Sequence, residues 1–214
     1  MTSLAVEVAA LCARYGAPRL VDVTLPMSNV NFSAVQVRAD RVAEVVFAIQ
    51  RPNGRLITQT KATYPREVYR LPSGGIRQGE TIEAALHREV AEETSLQAEV
   101  QRFLAIIHYT LTTARESRQF TSYAFLLRET GGLLCVADEQ EHVTGFHEIR
   151  PDDLPDLAGA LETLAGDPDP GADAWADWGR FRAVAHRVVA AQLAGDDRWH
   201  NAAGPRDLPA NQKR

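Results

Sequence analysis

Apolar positions change their period along the chain, and the changes divide it into elements. Leu4, Val8 and Leu11 recur at helical spacing until Gly16, Ala17 and Pro18 end the run. Residues 20–25 (LVDVTL) alternate and predict a short strand. VAEVVFAIQ and RLITQTK, joined by Arg51-Pro52-Asn53-Gly54, carry the clearest hairpin signal, with Asn-Gly supplying the positive φ angles of a tight turn. Residues 67–71 (EVYRL) predict another strand feeding a glycine-rich turn. A helix follows with Thr81 as N-cap, Glu80 and Glu83 near its positive end, and an exit near Thr94. VQRFLAIIHYTL and RQFTSYAFLLR predict two long antiparallel strands around the polar loop TTARES. After the acidic loop ADEQEHV come a short strand, TGFHEI, and a helix over PDDLPDLAGALETL capped by Asp152 or Asp153. GDPDPGAD reads as a turn or linker. The stretch 173–193 predicts a long amphipathic helix with Trp178, Phe181, Val184, Ala185, Val188 and Val189 on one stripe.

These elements predict an α/β (α+β) fold with helices at both ends. Residues 1–40 form an N-terminal helix and lead-in strand, 41–165 the main domain, 166–194 a C-terminal helix packed on it, and 195–214 a frayed polar tail. The chain has 214 residues and a net charge of -5, which disfavours a surface for long nucleic acid. Cys12 and Cys135 stand far apart without a CxxC pair, the pattern of reduced cytoplasmic thiols. No apolar run approaches the eighteen or so residues needed to cross a membrane, and the N-terminal stretch carries Glu7, unlike a signal peptide.

The strongest chemistry lies in the helix after the glycines, which closes on Arg88-Glu89-Val90-Ala91-Glu92-Glu93. At about 100° per residue, Glu92 falls about 60° to one side of Glu89 and Glu93 about 40° to the other. Like charges so placed repel, so the stretch is either a solvated acidic end or a cation site. The three carboxylates converge within one turn, as a hard divalent ion with oxygen ligands requires. Such an ion grips phosphate oxygens and acidifies water, and the glycines let the backbone approach both closely.

The segment Gly74-x5-Glu80-x7-Arg88-Glu89-Val90-x-Glu92-Glu93-x-Ser95-Leu96 resembles the signature of the Nudix hydrolase superfamily, to which MutT-like proteins belong. Every charged position matches, and Ser95 stands where the family has glycine, at a helix exit where left-handed backbone would cost serine on the order of 1 kcal/mol. The resemblance, extended by the order of strands and helices over roughly residues 40–165, implies an α/β/α sandwich with a mixed sheet. It also implies hydrolysis of a nucleoside diphosphate derivative by water attack at phosphorus, assisted by Mg2+ or Mn2+. By motif position, Glu89, Glu92 and Glu93 are the metal ligands, and the backbone carbonyl of Ser73 or Gly74 completes the shell. Arg88 and Glu80 orient these carboxylates. One of the three, or a more distant acid such as Glu139 or Glu141, activates the water.

Arg66, Arg70, Arg77, Arg115 and Arg118 are candidate phosphate contacts, and Tyr64, Tyr69, Phe120 and Tyr123 candidate base-stacking groups. The late helix with Trp175, Trp178 and Phe181 reads first as a docking stripe and second as a cap on the site. A non-catalytic module that senses a nucleotide or binds a protein is the alternative function. Apolar surface on the two terminal helices makes a homodimer an expectation.

Overall fold

A computed structural model describes residues 4–28, 41–136, 138–165 and 173–195. The expected linker at 166–172 and the expected tail beyond Gly195 lie outside the described residues. In chain order the elements are α1 (Leu4–Tyr15), β1 (Arg19–Pro26), β2 (Arg41–Gln50), β3 (Leu56–Lys61), β4 (Ser73–Arg77), α2 (Ile82–Thr94), β5 (Leu96–Thr112), β6 (Ser117–Gly132), β7 (Val143–Ile149), α3 (Leu154–Glu162) and α4 (Asp173–Leu193). Short 3₁₀ turns occupy Glu139–Glu141 and Pro151–Asp153.

The strands form one mixed, seven-stranded sheet in the order β1-β5-β6-β2-β3-β7, with β4 attached to β2 alone. β2 runs through the middle, and its side chains alternate between two cores. Val45, Phe47 and Ile49 face α1 and α2 on one side, packed with Leu11, Ile82 and Leu86. Val46 and Ala48 face α3 and α4 on the other, with Leu154, Phe181, Val188 and Val189. Helices therefore cover both faces, and the expected sandwich is present.

Two expectations need correction. The hairpin of β2 and β3 is closed only at its base, where Gln50 pairs with Leu56. Its turn has one positive φ, at Gly54 (81°), and none at Pro52 or Asn53, and Gly54 N donates to Arg51 O at 2.8 Å. Past Gln50 the strands separate, because β2 pairs along its length with β6 and along its first half with β4. β3 instead turns its edge to β7. The other correction concerns the glycines. Residues 67–71 form no strand beyond a single bridge from Arg70 to Gln59, and Ser73–Arg77, read as a turn, is itself the strand β4. The extended backbone pairs with β2 and leaves the turn to residues 78–79.

α2 is built as its sequence indicates. Thr81 is the N-cap, its hydroxyl accepting from Ala84 N at 3.2 Å, and Glu7 of α1 accepts from Ile82 N at 2.5 Å. A carboxylate at that end also meets the positive pole of the helix. Ser95 takes the left-handed conformation (φ 57°) and donates its N–H to Ala91 O. Asp153 sits ahead of α3, but its carboxylate accepts from Arg150 N and not from the helix. α4 seats closely on α3 because Gly179 has no side chain; a Cβ there would lie 2.1 Å from Leu161 O. No helix among the described residues is long and apolar enough to cross a membrane.

Candidate metal centre and phosphate cleft

Because β3 and β4 part company after sharing β2, a cleft of about 310 Å³ opens between them. Lys61 at the end of β3 forms one wall, β4 from Ser73 to Arg77 the other, and Glu141 and Trp178 enter from a loop and from α4. β4 pairs with β2 alone, so its second edge faces this space.

On the α2 side, carboxylate oxygens of Glu89, Glu93 and Glu141 lie within 4.8 Å of one another. α2 thus supplies two members of the cluster, and the third comes from the 3₁₀ turn before β7. Glu92 is turned aside. Its Oε2 accepts from Arg88 Nη1 at 2.9 Å, and its side chain stays partly exposed. Glu93 is fully buried, and Lys61 Nζ stands 2.6 Å from its Oε1 as an ion pair without aligned hydrogen-bond geometry. The same ammonium donates to Glu141 Oε2 at 2.9 Å. Burial works against the Lys61 charge, but the carboxylates of Glu93 and Glu141 together outweigh it and the pKa stays above the ordinary lysine value. Burial, with the like charge of Glu93, pushes Glu89 up to about 7.

Arg88 is the hub that keeps the acids in place. Its guanidinium holds Glu80 through both oxygens at 2.7 and 2.9 Å, Glu89 at 2.7 Å, and the carbonyl of Gly75 at 2.8 Å. These bonds, foremost those to Glu80, raise the Arg88 pKa and lower that of Glu80. Gly74 is required by contact: a Cβ there would fall 1.7 Å from Glu89 Cδ. Glu89 therefore lies flat against the strand backbone.

The opposite face of β4 carries different chemistry. Ser73 pairs in register with Val46 and points toward α4, one residue from Gly74 and on the other side of the sheet. Its Oγ accepts from Arg70 Nη1 at 2.9 Å and from Arg182 Nη1 at 3.2 Å. Arg182 also pairs with Glu44, 2.8 Å away, and Ser122 donates to the other Glu44 oxygen at 2.7 Å. His186 accepts from Leu71 N at 2.8 Å through Nε2 and bonds the Arg182 carbonyl at 2.8 Å through Nδ1, an arrangement that needs the neutral Nδ1–H tautomer. Burial pushes its pKa down to about 3, so it stays neutral.

The other expected residues are dispersed. Arg70, Arg77, Ser73 and Gly74 line the cleft, as does Tyr64, whose ring centroid is 4.8 Å from that of Trp178. Tyr69 stands against His147 at 5.7 Å, outside the lining. Phe120 and Tyr123 are core residues. Arg115 lies in the turn between β5 and β6 and Arg118 in β6, both outside the lining. Glu139 begins the 3₁₀ turn, and its side chain is outside the described residues. Lys61, Glu44, Arg182 and His186 are absent from the sequence-based site. A lysine ending a strand and an arginine on an amphipathic helix carry no signal until the fold brings them to the box.

The NUDIX domain model matches residues 39–175. An 8-oxo-dGDP phosphatase from Homo sapiens, NUDT18, is 32% identical over 100 residues, 47% of this chain and 28% of that protein. An ADP-ribose pyrophosphatase from Methanocaldococcus jannaschii is 29% identical over 119 residues, 56% of this chain and 68% of the relative. The chain thus spans less than a third of the human protein's length. Among solved structures, a UDP-X diphosphatase aligns with a TM-score of 0.47 and 14% identity, covering 77% of this chain and 71% of that one. The domain match spans well over half of the chain, from just before β2 into the start of α4, and takes in the whole carboxylate helix; the chain belongs to the NUDIX family.

Proposed function

We propose that this protein is a divalent-metal-dependent hydrolase that cleaves the pyrophosphate linkage of a small nucleoside diphosphate derivative, with water attacking phosphorus. One observation carries the reading: Glu89, Glu93 and Glu141 gather their oxygens within 4.8 Å at the wall of a cleft, with Glu93 fully buried and short of donors. Buried carboxylates held together this way cost free energy unless a cation joins them. The Lys61 ammonium stands beside two of them, and the glycine surface at Gly74 leaves room for Glu89 to lie close. An all-oxygen donor set suits Mg2+, with Mn2+ as the substitute. Bound there, such an ion neutralises phosphoryl charge and lowers the pKa of its water.

The chain's own groups have distinct tasks in this reading. Glu89, Glu93 and Glu141 are the ligands, Arg88 fixes Glu89 against Gly74 and Gly75, and Glu80 holds Arg88. Glu92, engaged with Arg88, is a reserve ligand beside the cluster. Arg77 and Lys61 contribute positive charge along the phosphate path, and Tyr64 with Trp178 supplies an aromatic wall. The activities of the two relatives, on 8-oxo-dGDP and on ADP-ribose, support a nucleotide-type substrate. Two free thiols, Cys12 and Cys135, agree with a reducing cytoplasmic setting.

The test is a panel of nucleoside diphosphate derivatives assayed for phosphate or mononucleotide release, with Mg2+ and with EDTA. At least one compound is hydrolysed only when metal is present. Hydrolysis of none, or equal turnover in EDTA, overturns the proposal.

A further inference from the structure

The polar cluster on the α4 face of β4 is not electrically balanced. Arg70 and Arg182 both donate to Ser73 Oγ, and Glu44 is the carboxylate beside them. Two guanidiniums, one carboxylate and the neutral His186 leave one positive charge over. The excess rests on Arg70, which is 3% exposed and meets no carboxylate among the described residues. Its Nε donates to Tyr64 Oη at 2.7 Å and its Nη1 to Leu71 O at 2.7 Å and to Ser73; Nη2 has no acceptor among the described residues. A buried guanidinium without a counter-charge is expensive, and a fork left open toward a cleft suits an oxyanion. Both arginines line the cleft.

Resting on the hydrolase reading above, we propose that Arg70 and Arg182 form a receptor for a substrate phosphate beyond the two that flank the scissile bridge. Ser73 and Gly74 are neighbours in one strand and face opposite sides of the sheet, so the arginines and the Glu89 cluster occupy different flanks of β4. A phosphate held by metal on the α2 side is a different group from the anion held by the arginines. The preferred substrate class is therefore a nucleoside triphosphate or longer polyphosphate, not a diphosphate ending in a neutral sugar. The receptor depends on α4, whose Arg182 and His186 lie beyond the family match at residues 39–175. His186 is a positioning residue: it ties Leu71, next to Arg70, to the turn of α4 that carries Arg182.

Inorganic tripolyphosphate titrated into the full chain in EDTA tests this without metal. The wild type binds it and melts higher. Arg70→Gln binds at least tenfold more weakly; because it also gives up hydrogen bonds to Tyr64 and Leu71, binding is compared at a temperature where both proteins are fully folded. Arg182→Lys keeps a cation for Glu44 but loses the fork, and also weakens binding. In turnover, the ratio of kcat/KM for a nucleoside triphosphate over ADP-ribose falls at least tenfold in Arg70→Gln. Undiminished tripolyphosphate binding by Arg70→Gln or an unchanged substrate ratio overturns the receptor. Loss of the receptor with metal-dependent hydrolysis intact leaves the hydrolase reading standing. Anion binding in EDTA that disappears in Arg70→Gln, without hydrolysis of any compound, supports the receptor and sinks only that reading.

Discussion

Lys61 Nζ lies 2.6 Å from Glu93 Oε1, so in the absence of metal a side-chain ammonium offsets the most deeply buried carboxylate of the site. Lys61→Met removes that cation and leaves Glu93 uncompensated, a loss on the order of 3 kcal/mol for a broken buried pair. The variant is expected to melt lower than wild type in EDTA and to gain more from added Mn2+, since the ion no longer competes with the lysine. Thermal unfolding with and without metal measures both. Equal melting in EDTA would remove Lys61 from the account of the site.

Gly74→Ala places a methyl group where Glu89 now lies, 1.7 Å from its Cδ. Relief requires Glu89 to move or the strand to shift, at a cost of about 1–3 kcal/mol. Metal affinity and turnover fall together, turnover by roughly a hundredfold or more if Glu89 is displaced. A Mn2+ titration beside a steady-state assay separates this outcome from general unfolding.

Glu89, Glu92 and Glu93 of α2 are expected to differ. Glu89→Gln and Glu93→Gln each lower turnover by at least about a hundredfold, because their oxygens lie in the cluster. Glu92→Gln has a smaller effect, since Glu92 is engaged with Arg88 and stands outside it. Single-turnover rates at saturating Mg2+ provide the comparison; equal losses at Glu92 and Glu93 would show that Glu92 swings in when metal binds.

Glu89 sets a pH dependence. With its pKa pushed up to about 7, the metal-free protein holds a proton there below neutrality, and metal binding expels it. Affinity for Mn2+ therefore rises with pH up to about 7 and levels off above. The sign for stability is opposite. The folded state binds this proton more tightly than the unfolded chain, whose value is 4.5, so the metal-free fold loses stability as pH rises from there through about 7. Calorimetry in buffers of different ionisation enthalpy measures the proton released.

Ser95→Gly relieves a left-handed serine at φ 57°. A gain of up to about 1 kcal/mol follows, roughly 2–4 °C in Tm for a chain of this size. Denaturant unfolding of the two proteins decides it.

What could be read from the sequence was local. Thr81, Ser95 and the spacing from Glu80 to Glu93 concern one helix and its two ends, where chemistry and position lie within a few residues. The fork between β3 and β4 could not be read that way. It arises because β2 takes β6 and β4 as partners, while β3 turns to β7, and each choice depends on residues tens of positions away. The glycines of β4 looked like a turn because glycine usually marks one; here Gly74 serves the contact with Glu89. Lys61 and Arg182 reach the site by tertiary placement alone, from the end of a strand and from a helix beyond the box.

The alternation along β4 has a consequence for how such a chain can change. Sliding this strand by one position against β2 would exchange the destinations of Ser73 and Gly74. The hydroxyl would be driven into the acidic cluster, and the guanidiniums would lose the acceptor they share. A single-residue insertion or deletion at Ser73 or Gly74 would therefore strike both flanks at once, so the spacing there is as tightly constrained as its composition.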